Sequence, residues 1–201
     1  MAGKRAKARR AALGRQTRET ELTVKLNLDG SGKVGIRTGI GFFDHMLELT
    51  ARHALWDLKL AGRGDRCVDD HHLVEDAGIV VGQALAAALA DKQGLGRYGW
   101  ARVAMDEALA EAAVDLSGRA YLFTAGLPGK GRAGSFDFEL VPEFLAALAA
   151  NARMTLHLEV VRGRNKHHMF EAAFKALGRA LRQACATDPR ERGIPSTKGK
   201  L

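Results

Sequence analysis

Apolar and polar residues alternate from Thr20 to Asp29 in TELTVKLNLD, and the run ends in the turn signal DGSG, a pattern that predicts a half-buried strand. KVGIRTG predicts a second, shorter strand. The period then changes. GIGFFDHMLELTARHAL carries Phe43, Met46, Leu47 and Thr50 at mixed three and four spacing, which predicts a helix. LWDLKLAG returns to strand character, and HHLVEDAGIVVGQALAAALADKQG predicts a long alanine-rich helix closed by Gly94.

The second half repeats this order. ARVAMDEALAEAAVDLSGRAYLFTAGL predicts a strand pair despite its alanines, FELVPEFLAALAANAR a helix, MTLHLEVVRG a strand and HHMFEAAFKALGRALRQAC another long helix. Residues 39 to 93 thus resemble 138 to 185 in order of elements. The chain is expected to be α+β, two similar halves with sheets packed against helices, rather than one wound sheet. Its expected divisions are a basic arm (1–14), a first half (15–95), a second half (96–190) and a tail (191–201).

Composition narrows the class. A chain of 201 residues, 46% of them hydrophobic, can bury a substantial core. The formal charge of +8 admits nucleic acid, an anionic metabolite or solvated tails as explanations. No aromatic side chains are interleaved with Lys4 to Arg10, so that arm reads as solvated charge. Cys67 and Cys185 form neither a disulfide framework nor a metal knuckle, and read as small buried hydrophobes in a reducing compartment. The N-terminus lacks the apolar stretch of a signal peptide, and Gly and Gln interrupt the longest apolar run. A cytoplasmic protein outside membranes is expected.

Histidine usage supplies the candidate chemistry. His71, His72 and Glu75 recur 96 positions later as His167, His168 and Glu171, in a chain with only seven histidines. Residues i and i+4 share a helix face, so His71 with Glu75, and His167 with Glu171, can each offer a nitrogen and a carboxylate to one ion. His72 and His168 point about 100° away and would serve another site. His45 and His157 lie in apolar settings that call for a reason, and His53 is as easily structural. Six imidazoles and two carboxylates would make two sites for a divalent transition metal, with the missing ligands drawn from the other motif, another strand or another subunit. Arg97, Arg119, Ser196 and Lys198 are candidates for gripping a phosphate. Asp69, Asp70, Asp76 and Asp106 could orient the imidazoles.

GIGFFDHML (39–47), DDHHLVED (69–76), MDEALAEAAVDLSGRAYL (105–122), TLHLEVVRGRNKHHMFEAAFKALGRALRQA (155–184) and the ending DPRERGIPSTKGKL together resemble the imidazoleglycerol-phosphate dehydratase family over residues 15 to 201. The resemblance implies the fold of the second domain of ribosomal protein S5 and trimers assembled into a 24-mer. It also implies two manganese ions per site at subunit interfaces, held by His45, His71, His72, Glu75, His157, His167, His168 and Glu171. Glu19 would be the catalytic acid–base, and Arg97, Arg119, Ser196 and Lys198 the phosphate grip. His53 would shuttle a proton or complete a hydrogen-bond network. The implied reaction turns D-erythro-imidazole-glycerol phosphate into imidazole-acetol phosphate and water. Two other classes stay open on residues alone: a metallohydrolase, which would release phosphate, and an RNA-binding module, whose binding would survive metal removal.

Overall fold

The computed structural model of the chain describes residues 8–201. The first half of the expected basic N-terminal arm, residues 1–7, lies outside them. The first half runs β1 (Arg10–Gln16), β2 (Thr20–Asn27), β3 (Val34–Arg37), α1 (Gly41–Ala54), β4 (Asp57–Gly64) and α2 (His71–Leu89). The second runs β5 (Tyr98–Met105), β6 (Ala108–Asp115) and β7 (Tyr121–Ala125), then a small hairpin of β8 (Arg132–Ala133) and β9 (Phe136–Asp137), then α3 (Leu140–Ala152), β10 (Thr155–Arg162) and α4 (Lys166–Ala184). The sheets are ordered β1-β2-β4-β3 and β5-β6-β10-β7. Strand for strand these are the same sheet, so the duplication spans the whole half.

Each sheet turns one face inward to helices. Leu22, Val24 and Leu26 of β2 and Ala108, Ala110, Ala112 and Val114 of β6 are buried, with more exposed residues between them. The alanines of β6 belong to a strand because small side chains let α4 lie close. At Gly99 of β5 a Cβ would overlap the Ala180 carbonyl. Helices α1 and α4 run parallel: His45 meets Glu171, Thr50 Oγ1 donates to the Phe174 carbonyl at 3.3 Å, and Gly178 abuts Thr50 and Ala54. Helices α2 and α3 are likewise parallel, Gly78 lying against Phe144 and Ala147, Gly82 against Leu148 and Asn151.

A cluster of aromatics at the helix starts joins the pairs. Phe43 of α1 meets Phe144 of α3 (centroids 5.2 Å) and Phe42 meets Phe170 of α4 (5.9 Å). With His71 of α2 and Leu140 and Glu143 of α3 lining one cleft, all four helices begin at the same end of the molecule.

Four features differ from the sequence expectation. Arg10–Gln16 is an edge strand, so residues 10–14 belong to the first sheet rather than to an arm; its basic and small residues hide the alternation. The expected strand pair after Arg97 is three strands, and the hairpin β8–β9 was not legible. Helix α2 ends at Leu89, five residues before Gly94, because the chain turns through positive φ at Ala90 and Lys92 as well as at Gly94. Cys185 is buried as expected, whereas Cys67 is exposed. By length and hydropathy α2 could cross a membrane, but its window is 67% buried among α3 and the strands, as suits a core helix.

Candidate metal centre

At the end where the four helices begin, His45 Nε2 and His167 Nε2 lie 3.0 and 3.1 Å from the same Glu171 oxygen, Oε1. Their ligand atoms fall within 4.8 Å of one another. Position i+4 on α4 brings Glu171 under His167, and the parallel α1 delivers His45. Burial pushes the Glu171 carboxyl upward, but hydrogen bonds from Lys175, His45 and His167 outweigh it and hold the group at about 2. Lys175 Nζ donates to the other oxygen, Oε2, at 2.5 Å. Two imidazoles converging on an ionised carboxylate are donors that fit a divalent transition ion.

The other half offers a looser counterpart. His71 Nε2 is 3.9 Å from Glu75 Oε2, again at i and i+4. Helix α3 lies against α2 as α1 lies against α4, and it brings Glu143 into the cleft of about 550 Å³ that His71 lines. Glu143 therefore stands in the second half where His45 stands in the first. Because the residue type differs between the halves, no repeat in the sequence marks Glu143.

Rings at adjacent positions stand almost perpendicular: His71 and His72 at 86°, His167 and His168 at 86°. His72 and His168 thus face elsewhere, and each has a carboxylate on Nδ1. Asp65 Oδ2 is 3.0 Å from His72, and Glu107 Oε2 is 2.9 Å from His168. These contacts raise both histidine pKa values, Asp65 and Glu107 being the respective leading causes. Glu107 itself is held at about 2 by His168 first and then by the backbone N–H of Asn165. A carboxylate on Nδ1 leaves Nε2 to bind an ion.

The expected orienting acids are otherwise employed. Asp69 accepts the His71 N–H, Asp70 pairs with Arg66, and Asp76 takes Arg15 and Thr20. Asp106 stays 3.8 Å from His168. Glu19, on the β1–β2 turn, is 3.8 Å from His72 Nδ1 and forms a second close group with Asp65 and His72.

The remaining candidates lie apart from these groups. Arg97 forks onto Asp115 (2.7 and 3.2 Å) and donates to the Pro195 carbonyl at 2.8 Å, so it holds the tail that carries Ser196 and Lys198. Its own N–H bonds to the Ala184 carbonyl at the end of α4, about 25 Å along that helix from His167. Arg119 is exposed on the loop before β7. His157 is on the outward face of the second sheet, between Tyr121 and Phe123, away from every histidine group above. His53 lies two turns along α1 from His45, and its pKa is lowered by burial, then by Lys175, Arg179 and Arg52.

The family model for imidazoleglycerol-phosphate dehydratase matches residues 38–181, most of the chain. The chain belongs to that family. Imidazoleglycerol-phosphate dehydratases of Cereibacter sphaeroides and Ruegeria pomeroyi are each 53% identical over 195 residues, covering 96% of this chain and all of theirs. That of Desulforamulus reducens is 55% identical over 194 residues, covering 96% of this chain and 98% of its own. Among solved structures, the Staphylococcus aureus dehydratase superposes with a TM-score of 0.79 at 41% identity, covering 88% of this chain and 98% of that one. The Pyrococcus furiosus enzyme gives 0.80 at 35%, covering 94% and 100%. The dehydratase is thus an α+β enzyme of two similar halves that dehydrates imidazoleglycerol phosphate in histidine biosynthesis. Family membership supports dehydration, rather than the hydrolase or RNA-binding alternatives, as the function of this fold.

Proposed function

We propose that the dehydratase works as a two-manganese lyase whose active site is completed between copies of the chain. The observation that carries the metal reading is the convergence of His45 and His167 on Glu171 Oε1. His71, Glu75, His72 and His168 would supply the other ligands, with Glu143 added from its place in the cleft. Nitrogen and carboxylate donors without a thiolate favour manganese or iron over a structural zinc. Bound there, the ions would act as Lewis acids on the charge that builds on the imidazole ring.

The chain's own residues carry the rest. The substrate loses hydroxide from the carbon beside the ring and a proton from the next carbon, which together account for the water released. Glu19 accepts that proton, and the resulting enol tautomerises to the ketone. Arg97, Arg119, Ser196 and Lys198 hold the phosphate and so fix the reacting carbon. For His53, burial first and then the nearby cations Lys175, Arg179 and Arg52 favour the neutral form, which suits a proton shuttle or a hydrogen-bond network.

The span of α4 between Arg97 and His167 far exceeds a substrate of one ring, three carbons and a phosphate. A shared site resolves this, the phosphate grip coming from a second copy. The outward face of the second sheet supports assembly as well, with Tyr98, Trp100, Tyr121 and Phe123 exposed around His157. His157 would then meet a metal only across such an interface. The 24-mer of trimers, the cytoplasmic location and the ribosomal S5-like grouping belong to the same proposal. The β-β-β-α-β-α order of each half, hairpin aside, supports the last.

Metal-stripped protein should give no imidazole-acetol phosphate and should recover on manganese readdition, with ketone and free phosphate both recorded. Turnover without metal would overturn the reading. Glu19→Gln should keep its metal and lose on the order of 10²–10⁴ in kcat.

A further inference from the structure

The β1–β2 turn that carries Glu19 is tied to α2 by a buried carboxylate. Asp76 is 7% exposed. It accepts from Arg15 Nε at 2.7 Å on one oxygen and from the Thr20 hydroxyl on the other. Arg15 and Thr20 flank the turn on either side. Within it, Thr17 Oγ1 accepts the N–H of Glu19 (3.0 Å) and of Thr20 (2.9 Å), and the Thr17 N–H bonds to the Thr20 carbonyl at 2.9 Å. On the far side the Asp65 N–H donates to the Glu19 carbonyl at 3.0 Å. The Glu19 backbone is thus fixed on both sides, while its carboxylate remains 56% exposed.

The duplication provides a comparison inside the same molecule. The position matching Asp76 in the second half is Ala172, fully buried against the core. An apolar side chain therefore satisfies the packing there, and a buried carboxylate costs desolvation that its partners must offset. The second hairpin is secured differently, Glu107 accepting the N–H groups of Arg164 and Asn165. The acid occurs only in the half whose turn bears Glu19.

We infer that Asp76, acting through Arg15 and Thr20, is the positioning residue that sets Glu19 for proton transfer. This rests on the proposed role of Glu19. Asp76 touches neither substrate nor metal in this scheme. It converts one rigid helix into a fixed address for an exposed carboxylate on a turn.

A double-mutant cycle on the assembled, manganese-loaded enzyme tests it. Asp76→Asn and Thr20→Val should each lower kcat by roughly 10- to 100-fold with KM and metal content little changed. In a Glu19→Gln background the same changes should cost almost nothing more, because the group they position has already gone. Thr20→Ser should recover most of what Thr20→Val loses. Thermal unfolding of each variant identifies loss by misfolding, and Thr20→Val, which keeps the Arg15–Asp76 pair, serves if Asp76→Asn does not fold. Losses that multiply with Glu19→Gln, or that fall on KM and metal content, would overturn the inference. Full activity of Glu19→Gln itself would instead strike the role of Glu19.

Discussion

At the scale of single residues, some of the chain's acids face the histidines and others hold turns. Glu107 and Asp65 occupy Nδ1 of His168 and His72, although neither was legible in the sequence. The HHxxE repeat is local, whereas these partners come from a hairpin 61 positions away and a loop 7 away. Only folding brings them together. Lys175 carries a local sequence signal, its i,i+4 pairing with Glu171. Glu107→Gln should weaken metal binding at the His168 site about 10- to 100-fold. Asp106→Asn, one residue away but 3.8 Å from the ring, should change it far less; metal titration of the stripped protein measures both.

Asp57 shows the other use of an acid. Its Oδ1 accepts the N–H groups of Ser31 (2.8 Å) and Lys33 (3.0 Å), which lower its pKa to about 2 from 3.8. The folded value lies below the unfolded one, so the stabilisation is complete above about pH 4 and is lost as pH falls towards 2. Asp57→Asn keeps the acceptor and removes the charge. Its unfolding curve should lose less stability between pH 4 and 2 than the native protein does.

At the scale of elements, close contact between parallel helices sets the two clusters of candidate ligands at the helix starts. The sequence made the helices, their order and the two HHxxE motifs legible because periodicity and spacing are local properties. It did not show that α1 would lie on α4 and α3 on α2, and so could not show that His45 and Glu143 hold matching places. Glycines fix those approaches. At Gly178 a Cβ would overlap the Thr50 carbonyl and press on His53, so Gly178→Ala must part α1 from α4. It should destabilise the fold by about 1–3 kcal/mol and, because His45 and Glu171 span the same seam, should weaken metal binding too. Gly41→Ala at the start of α1, where a Cβ meets nothing within 4 Å, should leave stability and metal content close to native. Calorimetry and metal analysis of the two variants separate a seam effect from a general loss of helix quality.

At the scale of the whole molecule, α4 sets a distance that no side chain can close. The histidine groups sit at its start, while Arg97, pinned to Asp115, Pro195 and the end of α4, anchors the tail with Ser196 and Lys198 at the other. A site assembled from two copies has a consequence that a self-contained site lacks. On the proposed roles, Glu19→Gln removes the acid–base beside the histidine groups, keeps the metal and leaves the phosphate end intact. Arg119→Ala impairs only the phosphate end, next to Gly118 and the tail residue Leu201. Each alone should be nearly inactive. When the two are dissociated, mixed in equal amounts and reassembled, some sites combine an intact metal end from one copy with an intact phosphate end from another. Random pairing of two such ends should restore roughly a quarter of native turnover. The restored activity should appear only after reassembly, and light scattering should show the native particle size. Mixtures that regain nothing at full size would mean that both ends come from the same chain, and the proposed site between copies would have to be abandoned.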